Sequence, residues 1–179
     1  MKLIYATCFL LMVNISINAN TINYTDINST IKRLDIKKWD SLYYQYKIVN
    51  NLPYQYNKKK KSYFWNPIYP VFFYKDYLQK YSETKKVEYL ENIEALTKVL
   101  MDKSKTFKYK NKIVRTFYYK GSGDVARMFH KHYSGLTNSY YVNVFSQLYK
   151  VTGNSKYKQY AIELFRSLTV PVDEGGGNV

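Results

Sequence analysis

Apolar residues recur at helical spacing through the second half of the chain. Between Thr137 and Val151, residues Tyr141, Val144, Phe145 and Leu148 fall at i, i+3, i+4 and i+7, one face of a helix. Thr152-Gly153-Asn154 ends that helix: Gly153 suits the left-handed residue after a helix end, and Asn154 suits the cap of the next helix. The following face is Tyr157, Tyr160, Ala161, Leu164, Phe165 and Leu168, and Pro171 forbids much continuation. The pattern predicts an antiparallel helical hairpin with a very short turn.

The same pattern occurs earlier. Asn66-Pro67 reads as a helix start, with Asn as cap and Pro presetting φ, and the helix runs to about Ser82 with Pro70 inside its first turn. A second helix covers Val87 to Lys103, with Leu90, Ile93, Thr97 and Leu100 on one face. A shift of 68 residues overlays this hairpin on the later one: Tyr81 on Tyr149, Thr84 on Thr152, Tyr89 on Tyr157, Leu96 on Leu164 and Leu100 on Leu168. Repeated helical hairpins predict a stacked array or an α/α toroid. Between them, Phe107 and Tyr109, then Ile113, Phe117 and Tyr119, alternate about Lys110-Asn111-Lys112, which predicts an inserted β-hairpin. Trp39, Leu42, Tyr43, Tyr46 and Val49 suggest one more helix, and Asn57 to Lys61 reads as a solvated basic loop. Gly121-Ser122-Gly123 is a loop without the preceding strand that a phosphate-binding turn needs.

The N-terminus carries an address. After Met1-Lys2, an apolar run from Leu3 to Val13 is too short to span a bilayer, polar Asn14, Ser16 and Asn18 follow, and Ala19 offers a small residue for cleavage. Residues 1–19 are expected to be a signal peptide, so the protein is expected to be secreted or periplasmic. The rival reading is a short membrane anchor. Asn23-Tyr24-Thr25 and Asn28-Ser29-Thr30 fit the glycosylation triplet, which also arises by chance in an Asn-rich chain.

Composition narrows the function classes. A hydrophobic share of 46% excludes wholesale disorder, and a single cysteine, Cys8, excludes an internal disulfide, a zinc site built on cysteines and a Cys-X-X-Cys redox centre. Basic residues outnumber acidic ones 28 to 13, which suits an anionic partner. Lysine-heavy, Asn/Ile/Tyr-rich usage is also what an AT-rich genome produces, so charge alone names no partner. Most of the 22 tyrosines sit at helix-face spacing and read as core or boundary residues.

A family resemblance covers about residues 60–177. Tyr133-Ser134-Gly135, Leu148-Tyr149, Thr152-Gly153, Lys156-Tyr157, Ala161, Pro171 and Glu174-Gly175-Gly176 resemble the C-terminal domain of the D-glucuronyl C5-epimerases, and Asn66-Pro67-Ile68 with Tyr81, Thr84 and Tyr89-Leu90 resembles its preceding hairpin. The resemblance implies a mainly α fold: a partial α/α toroid of helical hairpins over 61–179, with a short inserted β-hairpin, after a helical or linker segment at 20–60. It implies an isomerase that converts glucuronic to iduronic acid within a uronic-acid polysaccharide such as a heparosan-like chain, without a cofactor. The family's tyrosine acid/base residues are expected beyond Val179, and Leu136 to Tyr140 departs from the family's Met-Ala-Gln-Gly-Gln. The active site is therefore expected to be incomplete.

The residues expected to face substrate are Arg127, His130, Tyr133, Asn138 and Glu174. Arg127 suits a substrate carboxylate, Tyr133 a hydrogen bond, and Glu174 a base, each against the plainer reading of a surface loop or turn residue. His130-Lys131-His132 lacks a near acidic partner and is a poor metal site. Ser134 near His132 lacks the nucleophile elbow of a hydrolase. Two functions remain open: an epimerase of uronic-acid polymers, and a non-catalytic polysaccharide-binding or scaffold module. A nucleic-acid partner and stable membrane insertion after cleavage are not expected. Apolar faces at the ends of an open array predict a homo-oligomer or a marginally stable product.

Overall fold

The computed structural model describes residues 22, 46–57, 59–119, 132–174 and 176. The signal peptide, the glycosylation triplets, Trp39 to Tyr43 and Gly121 to Gly123 lie outside the described residues. A three-stranded antiparallel sheet comes first, β1 (Tyr46–Val49), β2 (Leu52–Asn57) and β3 (Ser62–Phe64). Helices α1 (Tyr69–Thr84) and α2 (Glu88–Met101) follow, then the hairpin β4 (Lys105–Tyr109) and β5 (Lys112–Thr116). Two short strands, β6 (Tyr118–Tyr119) and β7 (His132–Tyr133), pair antiparallel before helices α3 (Gly135–Thr152) and α4 (Ser155–Ser167). A 3-10 turn spans Val172–Glu174.

The expected partial toroid is overturned: the described residues form a mixed fold of four helices and three small antiparallel sheets. Two causes account for the difference, one local and one long-range. Tyr46–Val49 is a strand because Asn50 and Asn51 both take positive φ, 50° and 58°, the two-residue turn that joins hairpin strands. The apolar pattern at Tyr46 and Val49 fits helix spacing equally well, and the Asn-Asn turn decides between them. The second cause lies at α4, whose flank is covered by a strand and not by a further hairpin. Arg115 of β5 pairs with Glu163 of α4 at 2.8 Å, and Arg166 Nη1 donates to the Ile113 carbonyl at 3.0 Å.

Both helical hairpins form, and their termini follow from the sequence. Ser134 caps α3 by accepting from Thr137 N at 3.4 Å, and Asn154 caps α4 by accepting from Lys156 N at 3.1 Å. The start of α1 moves inward: Asn66 Oδ1 accepts from Ile68 N at 3.3 Å in a preceding turn, and Pro70 sits within the first helical residues. The expected hairpin between the two units is β4–β5, turned at Lys110-Asn111, which again has two positive φ values.

The core lies where the two helical hairpins meet. Tyr74 of α1 packs edge-on against Tyr141 and Phe145 of α3 at 6.3 and 5.8 Å, and Phe145 stacks on Tyr157 of α4 at 6.0 Å. The Tyr141 hydroxyl donates to the Pro67 carbonyl at 2.6 Å, tying α3 to the entry of α1. Leu96, Leu100, Phe117, Leu148 and Leu164 complete the interior. Phe165 and Leu168, expected on the buried face of α4, are 55% and 38% exposed, because α4 turns Glu163 inward to meet Arg115. No helix among the described residues is long and apolar enough to cross a membrane.

Candidate functional site

Two of the expected substrate-facing residues come together, but in the interior. Tyr133 is 2% exposed and donates its hydroxyl to the Ser167 carbonyl at 3.1 Å, its ring edge-on to Tyr118. Asn138 is fully buried and donates from Nδ2 to Thr116 Oγ1 at 3.0 Å and to Ser167 Oγ at 2.8 Å. The Ser167 hydroxyl is committed to the Leu164 carbonyl, so its oxygen must accept, which fixes the orientation of the amide. That leaves Asn138 Oδ1 buried without a hydrogen-bond partner. These side chains knit β5, β7, α3 and α4 together in the interior.

Glu174 sits apart from them, exposed on the 3-10 turn, with its backbone N–H donated to the Pro171 carbonyl at 3.1 Å. It approaches the tip of the β4–β5 hairpin, where the Lys110 ammonium is held above its ordinary range chiefly by Tyr109 and less by the Glu174 charge. Arg127 and His130 lie outside the described residues. His132 stacks on Tyr119 at 5.4 Å and 8°. Among the described residues no group of three or more His, Cys, Asp or Glu is placed to hold a metal ion.

The Lys156-Tyr157 pair of the resemblance meets a carboxylate. Lys156 Nζ and the Tyr157 hydroxyl both donate to Glu94 of α2, the phenol at 2.7 Å. Burial, then the hydrogen bond to Glu94 and its charge, push the phenol well above its ordinary range. A tyrosine so placed holds its proton and is 3% exposed, so it ties the two helical hairpins together and has no access to a sugar.

An open groove of about 340 Å³ lies between β5 and α4, lined by Ile113, Ser155, Lys158, Gln159, Ile162, Glu163 and Arg166. Lys158, Ile162 and Arg166 recur every four residues, so they share a stripe of α4, with the Cα atoms of Lys158 and Arg166 about 12 Å apart along its axis. Ile113 and Ile162, 44% and 42% exposed, form an apolar floor. Glu163, the acidic residue of the lining, is 3% exposed; it accepts from Arg115 Nε at 2.8 Å and from Gln159 Nε2 at 2.9 Å. Its charge is compensated from within, and the groove presents the charges of Lys158 and Arg166. The guanidinium of Arg166 is held by the Ile113 carbonyl, while the Lys158 ammonium lies 5.7 Å from the Tyr149 ring centre.

The site residues missed at the level of sequence are therefore Lys158, Arg166 and the Arg115–Glu163 pair. The available signal was chemical: Arg115 and Arg166 are two of only four arginines in a lysine-dominated chain. No protein-family model matches the chain, and neither a curated protein nor a solved structure does.

Proposed function

We propose that this protein is an exported relative of the glucuronyl C5-epimerases that binds a uronic-acid polysaccharide without carrying out the epimerisation. The observation that carries this reading is the groove between β5 and α4, where Lys158 and Arg166 flank an apolar floor and Glu163 is neutralised from below. Two cations on one helix stripe engage two carboxylates of a polymer better than one carboxylate of a monomer, and apolar Ile113 and Ile162 suit the C–H faces of sugar rings. Epimerisation needs one group to remove the C5 proton and another to return it to the opposite face. Tyr133 and Tyr157 are buried and hydrogen-bonded, and Glu174 lies exposed on the 3-10 turn apart from both, so none of these three supplies a paired acid and base in an open cleft.

Incubation with an unsulfated glucuronate polymer in deuterated water separates binding from catalysis. The expected result is retention of the polymer that weakens with added salt, with no deuterium at C5. Deuterium incorporation would replace the binding reading with the epimerase reading. Failure of the polymer to be retained at low ionic strength would sink both.

A further inference from the structure

The first sheet carries an aromatic ladder built of residues other than those of the β5–α4 groove. Tyr56 and Tyr63 stand directly opposite each other on β2 and β3, with ring centres 5.1 Å apart and tilted by 56°. Tyr54 and Trp65 form the next rung, at 5.8 Å and 52°, on the same face of the sheet. The inner rung rests against the core and is fixed by it, while the outer rung projects, with Tyr63 41% exposed. Tilted pairs do not cover each other's faces, so ring surface remains for a ligand.

The polar tips of the ladder distinguish it from the interior tyrosines. The hydroxyls of Tyr74, Tyr133, Tyr141 and Tyr157 all have protein partners. Those of Tyr54, Tyr56 and Tyr63 have no hydrogen-bond partner among the described residues. Three phenols and an indole N–H thus present both π faces and hydrogen-bonding groups along one line, which matches a ligand made of rings bearing hydroxyls. Charge selects which such ligand. From residue 41 to residue 75 the chain has six lysines and no acidic residue. Lys47 stands opposite Tyr54, and exposed Lys59, Lys60 and Lys61 turn the chain beside the outer rung.

We infer that the Tyr54–Trp65 and Tyr56–Tyr63 ladder is a second polysaccharide surface, on which sugar rings of an acidic polymer stack while the flanking lysines meet its carboxylates. The inference rests on the uronic-polysaccharide reading, but uses different residues. It divides the labour: the α4 groove reads charge, and the ladder reads rings.

The test uses the full chain in a Trp39→Phe background, so that Trp65 alone reports by fluorescence. The probes are an unsulfated glucuronate–hexosamine polymer, a neutral hexosamine oligomer of equal ring count, and poly(dT). The acidic polymer is expected to shift Trp65 emission, and the neutral oligomer to shift it less. Tyr63→Ala is expected to weaken polymer binding about tenfold without changing its salt dependence, while Tyr63→Phe retains most of it. A paired Lys59→Gln, Lys60→Gln variant is expected to lower the salt dependence instead. Unchanged binding by both Tyr63→Ala and Tyr56→Ala, with binding lost in Lys158→Gln/Arg166→Gln, would overturn the ladder and leave the groove standing. Absence of polymer binding in the parent protein would remove the functional reading itself. Tyr63-dependent binding of poly(dT) as tight as that of the polymer would replace the sugar ligand with single-stranded nucleic acid.

Discussion

Lys85 and Gly153, 68 residues apart, end their helices in the same way. Each takes the left-handed conformation, with φ of 59° and 68°, and each donates its backbone N–H at 2.8 Å to a tyrosine carbonyl four residues back, Tyr81 or Tyr149. The threonines before them match as well. Thr84 and Thr152 donate their hydroxyls to the carbonyls of Lys80 and Leu148 at 2.7 Å, and accept from the N–H of Lys86 and Asn154 at 3.3 and 3.2 Å. The internal repeat is thus a repeat of helix-ending chemistry, and its two copies differ at the one residue where chemistry matters most.

Replacing Lys85 by glycine is therefore expected to stabilise the protein. A side chain in the left-handed region costs about 1 kcal/mol, partly offset by the larger entropy of glycine in the unfolded chain, for a net gain of about 0.5 kcal/mol. Gly153→Ala is expected to destabilise by a similar net amount, about 0.5 kcal/mol, from backbone strain without a clash, because a Cβ there would meet nothing within 4 Å. Urea unfolding of the two variants checks both signs. A destabilised Lys85→Gly would mean that the Lys85 side chain, which lies 5.6 Å from the Tyr81 ring centre, contributes more than its backbone strain costs.

What was legible in the sequence was local and periodic. The two helical hairpins, the Gly153 and Asn154 turn, and the β4–β5 hairpin all arise from patterns a few residues long. The first sheet was not, because Tyr46, Ile48 and Val49 satisfy helix and strand spacing at once, and only the positive φ of Asn50 and Asn51 chooses. The toroid expectation failed at a long-range contact. Whether α4 stacks on another hairpin or on a strand depends on Arg115 reaching Glu163 across 48 residues, and no window along the chain contains both. The same holds for the site: Tyr133 and Asn138 looked available in a loop and a helix start, and Ser167 buries them both.

Alkaline conditions should unfold the protein through its buried phenols. Burial first, then the neighbouring Tyr74 and Tyr119, hold Tyr141 well above the ordinary phenol range, and Tyr157 is raised by burial and by Glu94. A phenol that keeps its proton more tightly when folded contributes stability that is complete below the unfolded value of about 10 and drains as pH rises above it. Each contributes a slope of about 1.4 kcal/mol per pH unit in that window, so the pair gives about 2.8. Urea unfolding between pH 7 and 11.5 should show little phenol-linked change to about pH 9.5 and then a steep fall. Tyr157→Phe and Tyr141→Phe should each remove about one proton's worth of that slope.

The Arg115–Glu163 pair joins stability to the groove. Arg115→Met leaves the buried Glu163 carboxylate with Gln159 as its remaining hydrogen-bond donor, and is expected to cost about 3 kcal/mol. The double variant Arg115→Met/Glu163→Leu removes both charges and is expected to be more stable than Arg115→Met alone, a coupling read from a double-mutant cycle of thermal melts. Glu163→Gln keeps the shape of the groove and adds net positive charge, so it should bind a glucuronate polymer more tightly at low salt. Weaker binding by the folded variant would show that the Arg115–Glu163 pair holds the groove in shape and that its charge does not oppose the polymer.

Asn138 and Tyr133 distinguish a buried scaffold from a substrate site. Asn138→Ala removes the donor shared by Thr116 and Ser167, and is expected to destabilise the fold by about 2 kcal/mol. Tyr133→Phe loses one hydrogen bond to the Ser167 carbonyl and is expected to cost about 1 kcal/mol. Because both side chains face the interior, glucuronate polymer binding by the folded variants should match that of the parent when measured well below their melting temperatures. Lys158→Gln should do the reverse, with little change in melting and a clear loss of binding, and Arg166→Gln should lose binding by more than the ~1 kcal/mol of stability its bond to the Ile113 carbonyl supplies. A variant of Asn138 or Tyr133 that melted like the parent but released the polymer would return those residues to the binding surface and remove the groove from its central place.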